Sequence, residues 1–168
     1  HQEVLAARDD VSLRWLIDLN LESMQAPPRS ADQLPMTTTK LSDALEDPRV
    51  HCVIVSTPTP SHAPLIRAAL AAGKHVFAEK PLCCEPSDVP SLFALAERQQ
   101  LVLHTAYNRR HDPAINEAVD AVRSRSKGAV LGVSLVSRDY PYPPAHYLAT
   151  SGNLFKDCVV HDLDYLTW

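Results

Sequence analysis

Apolar positions along the chain alternate between short continuous runs and stretches with a period near 3.6. Val11 to Leu19 (VSLRWLIDL) is nearly continuous in apolar character, as a strand covered on both faces by helices should be. Pro35 to Thr39 predicts a short β-branched strand, and His51 to Ser56 (HCVIVS) a buried one that Thr57-Pro58-Thr59-Pro60 breaks. His75 to Ala78 and Leu101 to Thr105 (LVLHT) are two more strand candidates. Helical spacing fills the intervals. Leu41 to Asp47 predicts a short helix capped by the Ser42 hydroxyl, with Glu46 in reach of the first turn and Pro48 at its end. Ala63 to Ala72 (APLIRAALAA) predicts a helix closed by Gly73 in a left-handed cap. Ser87 to Gln100 carries Val89, Leu92, Phe93, Leu95 and Ala96 at helical spacing, and Asp112-Pro113 opens a helix running to about Arg125. Residues 1 to 8 read as the last turns of a helix, and 21 to 34 as a short helix followed by a loop. Strands and helices alternating with short connections predict a parallel, helix-covered α/β sheet.

The texture changes after Lys127-Gly128. Ala129 to Arg138 (AVLGVSLVSR) alternates like a longer strand of a second, antiparallel-capable sheet, which sets an expected boundary near 126: residues 1–126 as one unit, 127–168 as the start of another. Pro141, Pro143 and Pro144, among Tyr140, Tyr142 and Tyr147, predict a rigid aromatic loop instead of a regular element. Leu154 to Trp168 reads as a helix. The chain opens in mid-helix and stops without a cap, so a partial sequence is expected.

Composition narrows the partners. With 168 residues, 45% hydrophobic and 21% charged, the chain can build one domain with a core, whereas two complete domains would be crowded. No apolar run approaches the roughly 20 residues of a membrane span. A net charge of -4 with scattered arginines gives no basic stripe for nucleic acid. Neither a membrane nor a nucleic acid is an expected partner; a small molecule is. Cys52, Cys83, Cys84 and Cys158 match no C-x-x-C pattern, so reduced, buried thiols and no metal site are expected. No basic segment followed by an apolar run opens the chain, and a cytoplasmic address is the expectation.

Candidate chemistry gathers at three places. Ala78-Glu79-Lys80-Pro81-Leu82 follows a predicted strand, and small molecules bind outside the carboxyl ends of strands in open α/β sheets. Proline fixes its own φ and restricts the residue before it, so Lys80 is aimed; the same pair on a surface turn would be a solvated lysine. Asp157 and His161, four apart on the last predicted helix, lie on one face, where a carboxylate can orient an imidazole that carries protons near neutrality. Such a pair can also merely solvate a surface, as Asp162 and Asp164 are expected to do, although Asp164 could support Lys80 or His161. Asp18 at the end of a predicted strand is placed like the carboxylate that binds an adenosine ribose, or like an ordinary turn residue. With four glycines the chain has no G-x-G-x-x-G phosphate loop.

Together these segments resemble the Gfo/Idh/MocA oxidoreductases. Val53-Ile54-Val55-Ser56-Thr57-Pro58 with Ser61-His62 is similar to the family's nicotinamide-side strand and turn, and Gly73 to Leu82 to its lysine motif. Tyr107-Asn108-Arg109-Arg110 resembles the segment after the last dinucleotide-fold strand, and Ser151 to Asp162 the glycine turn and Asp-x-x-x-His helix. The resemblance implies an incomplete Rossmann-like sheet, lacking the first strand and glycine loop, followed by the start of an α+β substrate domain. It implies catalytic Lys80, Asp157 and His161, with Lys80 lowering the pKa of a reacting hydroxyl, Asp157 holding substrate and His161, and His161 taking the proton. It also implies a cofactor site of Asp18, Ser56, Thr57, Pro58, His62, Glu79, Lys80 and Asn108. Asp18 favours NAD over NADP, because a carboxylate would repel a 2′-phosphate. The implied activity is hydride transfer from a secondary hydroxyl of a cyclic polyol or sugar, inositol above all, by a protein that forms homo-oligomers when full length. The other expectation is a non-catalytic module acting through protein contacts or self-association.

Overall fold

The computed structural model describes residues 1–20, 22, 34–138, 140–141, 143–150 and 153–168. Helix α1 (Gln2–Ala6) precedes strand β1 (Trp15–Ile17), which pairs in parallel with β2 (Met36–Thr38). A second parallel sheet has the order β3 (Cys52–Val55), β4 (His75–Ala78), β5 (Leu103–Thr105). β4 has the expected bounds, and the other four strands are shorter than their apolar runs. The helix expected within 21–34 falls mostly outside the described residues.

Helices α3 (His62–Ala71) and α4 (Val89–Arg98) cover one face of the larger sheet. Burial along β4 alternates, with Val76 and Ala78 inside and His75 and Phe77 less so, as the pleat requires. Ile66, Leu70 and Leu92 are fully enclosed against Val55, Val76 and Ala78 and form the centre of the core. Gly73, at φ 74°, ends α3 as its composition suggests: its N–H reaches the Leu70 carbonyl and the Lys74 N–H that of Ala69, the paired bonds of a Schellman cap.

Register fixes what lies at the sheet's carboxyl edge. Val55, Ala78 and Thr105 stand side by side across β3, β4 and β5. The turns that follow, Ser56-Thr57-Pro58, Glu79-Lys80-Pro81 and Ala106-Tyr107-Asn108, therefore leave the sheet along one rim. The Lys80-Pro81 peptide is cis.

Helix α2 (Leu41–Glu46) is not capped by Ser42, which lies inside it; the residue before the helix is Lys40, and no side chain caps the end. Thr38 instead donates to Asp43 and accepts from the Lys40 N–H. Asp112 does cap α5 (Pro113–Arg123), accepting from the N–H groups of Ala114 and Ile115. The alternating segment 129–138 forms no strand among the described residues. Its pattern is suitable, but a strand needs a neighbour to take up its backbone groups, and none pairs with it among the described residues; Leu131 stands 99% exposed. The proline-rich aromatic stretch is not wholly irregular, because Ala145–Thr150 forms helix α6 directly after Pro144. The last predicted helix begins with a π turn at Phe155–Val159 and continues as α7 (Val160–Thr167). Of the four free cysteines only Cys83 is buried, where the expectation was burial of all.

Candidate active site

Lys80 leaves the end of β4 and meets Asp157 across the molecule. Its ammonium donates to Asp157 Oδ1 at 2.8 Å and to the Asp157 backbone carbonyl at 2.7 Å, with both side chains mostly shielded from water. Tyr147 from α6 donates its hydroxyl to the same Oδ1 at 2.8 Å. Burial alone would raise the Asp157 carboxyl; the hydrogen bonds from Lys80 and Tyr147 and the nearby positive charge outweigh it and hold the group below the ordinary carboxylate value.

His161 borders the same space from the first turn of α7. Burial pushes its imidazole below the ordinary 6.5, and the charges of Lys80 and Arg109 push in the same direction. Nδ1 is buried and has no hydrogen-bond partner among the described residues, and the ring meets Tyr107 edge-on at 6.5 Å. The expected Asp157–His161 hydrogen bond is not formed. Asp157 sits in the π turn, whose wider winding takes residues four apart out of register, and its carboxylate is turned to Lys80 and Tyr147 instead.

The helix is seated by pairs that the sequence reading assigned to solvent. Asp162 is 8% exposed and receives the Arg109 guanidinium and the Ser137 and Tyr165 hydroxyls. Asp164 takes a two-pronged contact from Arg110 at 2.8 and 2.6 Å. Arg110 also lies over the rings of Tyr107 and Trp168. Arg109, Arg110 and Tyr147 were given no role by the sequence reading. Two adjacent arginines facing two aspartates two apart was the available signal for the first pair; Tyr147 had none.

Two clefts open here. One of about 320 Å³ is bordered by Phe77, Glu79, Lys80, Tyr107, Asn108 and His161. The other, of about 570 Å³, is bordered by Lys80, Arg109, Arg138, Tyr147, Asp157 and His161. Lys80, Asn108 and His161 line both.

The remaining candidates are placed as follows. Ser56, Thr57 and Pro58 are exposed at the rim beyond β3, and Thr57 shares a 2.6 Å hydrogen bond with Ser61. Glu79 Oε1 is 2.7 Å from His1 Nε2. Asp18 is exposed past the end of β1, where it accepts from the Asn20 N–H. His62 differs from its expected role as a cofactor contact. It is 1% exposed, and its ring nitrogens lie 2.8 Å from the Pro81 carbonyl and 2.7 Å from that of Thr57. No hydrogen-bonding atom is left for a ligand, so the residue braces the turn after β3 against the turn that carries Lys80. Cys83 is equally unsuited to chemistry, since burial pushes its thiol up and away from the reactive thiolate.

Residues 1–107 match the model of an oxidoreductase family with an NAD-binding Rossmann fold. The chain belongs to the Gfo/Idh/MocA oxidoreductases. It is 35% identical over 122 residues to a myo-inositol 2-dehydrogenase of Thermotoga maritima, covering 73% of this chain and 36% of that protein. Over a stretch of the same length it is 32% identical to the scyllo-inositol 2-dehydrogenase (NAD(+)) of Bacillus subtilis, again covering 73% of this chain and 36% of the relative. Among solved structures, GenD2 from gentamicin A biosynthesis, in complex with NAD, superimposes with a TM-score of 0.80 at 27% identity, covering 99% of this chain and 48% of that one. This Gfo/Idh/MocA chain thus spans well under half the length of the curated relatives named, and the family's cofactor is NAD.

Proposed function

We propose that the protein oxidises a secondary hydroxyl of a cyclic polyol or sugar, with NAD as hydride acceptor. The observation that carries this reading is the meeting of Lys80 and Asp157, 77 residues apart in sequence, with His161 beside them in the same cleft. The relatives named as inositol dehydrogenases support the substrate class.

The residues present suit the nicotinamide half of the cofactor. The rim turn Ser56-Thr57-Pro58, Glu79, Lys80 and Asn108 would flank it at the carboxyl edge, where His161 Nδ1, without a hydrogen-bond partner among the described residues, also lies buried. Asp18 would receive the adenosine ribose. NAD supplies the electrophilic ring carbon that accepts a hydride. Lys80 has two N–H groups on Asp157 and a third for the substrate hydroxyl, whose alkoxide character its charge favours. His161, neutral at pH 7 because its pKa is lowered, takes the hydroxyl proton. Asp157, held ionised, balances the lysine charge and accepts from a neighbouring substrate hydroxyl.

The test is NAD reduction by the whole protein across a panel of inositols and sugars, with Lys80→Ala and His161→Ala beside the parent. Each substitution should lower kcat by at least ~10²-fold, the usual scale for acid–base groups. Unchanged turnover in both would overturn the assignment.

A further inference from the structure

Asp157 Oδ1 accepts two donors at once, Lys80 Nζ and the Tyr147 hydroxyl, each at 2.8 Å. Oδ2 takes no hydrogen bond among the described residues. A carboxylate rotates about its last side-chain bond, and Lys80 alone does not stop this, because its ammonium also holds the Asp157 backbone carbonyl and could follow either oxygen. A second donor on Oδ1, coming from a different helix, removes that freedom. Tyr147 and Asp157 both border the larger cleft, with Lys80, Arg109, Arg138, Tyr140, Cys158 and His161 as the other charged or titratable groups on its wall.

We propose that Tyr147 is a positioning residue: its hydroxyl pins Asp157 Oδ1 onto Lys80 and thereby leaves Oδ2 to receive a substrate hydroxyl next to the one oxidised. This rests on the proposed dehydrogenase reading and adds to it a specificity element from the α6 side of the cleft. The phenol touches the Asp157 carboxylate and is not assigned to the reacting hydroxyl, so it acts on binding geometry more than on the chemical step. The same bond helps to keep the Asp157 carboxyl low, opposing the burial that would raise it.

The experiment compares Tyr147→Phe with the parent on the best polyol of the panel and on its deoxy analogue lacking the adjacent hydroxyl. Phenylalanine keeps the ring and removes only the donor. KM for the polyol should rise about tenfold, more than kcat falls, the scale of a hydrogen bond to a charged group. With the deoxy analogue the penalty should vanish. An equal penalty on both substrates, or no change in KM, would overturn the inference while the parent's turnover leaves the dehydrogenase reading intact. If no polyol is turned over, the dehydrogenase reading fails and the substrate role of Oδ2 with it, and carbon-detected NMR titration of the Asp157 carboxyl then tests the pinning bond by itself. A midpoint that moves up in Tyr147→Phe supports the pinning bond, and an unmoved midpoint overturns it.

Discussion

His161 owes its character to its burial and to neighbours contributed by two turns. Lys80 comes from the turn after β4, Arg109 from the turn after β5, and burial from the seat of α7 against Tyr107. Each disfavours the imidazolium, so the depressed pKa makes the neutral base the resting form at pH 7. The sign can be checked. An NMR titration should place the His161 midpoint below 6.5, and Lys80→Met, which removes a positive charge while keeping the stem, should move it up. An unmoved midpoint would mean that the lysine charge does not reach the ring. Because the folded pKa is depressed, His161 contributes stability that is present above about pH 6.5 and lost as pH falls through the folded value. At this scale the sequence disclosed the residue types of the site but not their pairing. Spacing of four suggested that Asp157 orients His161, and that rule assumes an α-helical turn; the π turn invalidates it and sends the carboxylate to Lys80. Likewise, no local pattern could reveal that both ring nitrogens of His62 are taken by backbone carbonyls, since Pro81 lies 19 residues away.

The elements that place the site end in the same way with different residues. Helix α3 closes on Gly73 at φ 74°, and α4 closes on Gln100 at φ 55°, with the Leu101 N–H on the Ala96 carbonyl and the Gln100 N–H on that of Glu97. Left-handed backbone costs a residue with a side chain on the order of 1–2 kcal/mol, part of which glycine returns as unfolded-state entropy. Gln100→Gly should therefore raise unfolding stability by about 0.5–1 kcal/mol, read from the denaturant midpoint at unchanged slope. A loss of stability would mean that the glutamine side chain makes a compensating contact. These helices were legible because capping and the 3.6 period are local signals. Segment 129–138 was misread because alternation states only that a strand is possible, while pairing depends on what lies beside it.

At the scale of the molecule, the site depends on joining residues before and after 126. Arg109 and Arg110 leave the last strand and grip Asp162 and Asp164, which brings His161 and Asp157 over the rim where Lys80 emerges. The parallel α/β sheet was readable from alternation of periods, and the resemblance to Gfo/Idh/MocA proteins from the lysine and Asp-x-x-x-His segments. The seating of α7 was not readable, because its acidic residues look solvent-facing until their arginine partners are placed. In the proposed reaction Lys80 and His161 address one substrate oxygen. A crystal structure of the whole protein with NAD and a bound polyol measures this directly. Lys80 Nζ and His161 should each lie roughly 3 Å from the same hydroxyl oxygen, with Asp157 on a neighbouring one. A polyol seated with its reacting hydroxyl beyond hydrogen-bond reach of both residues would overturn the proposed mechanism.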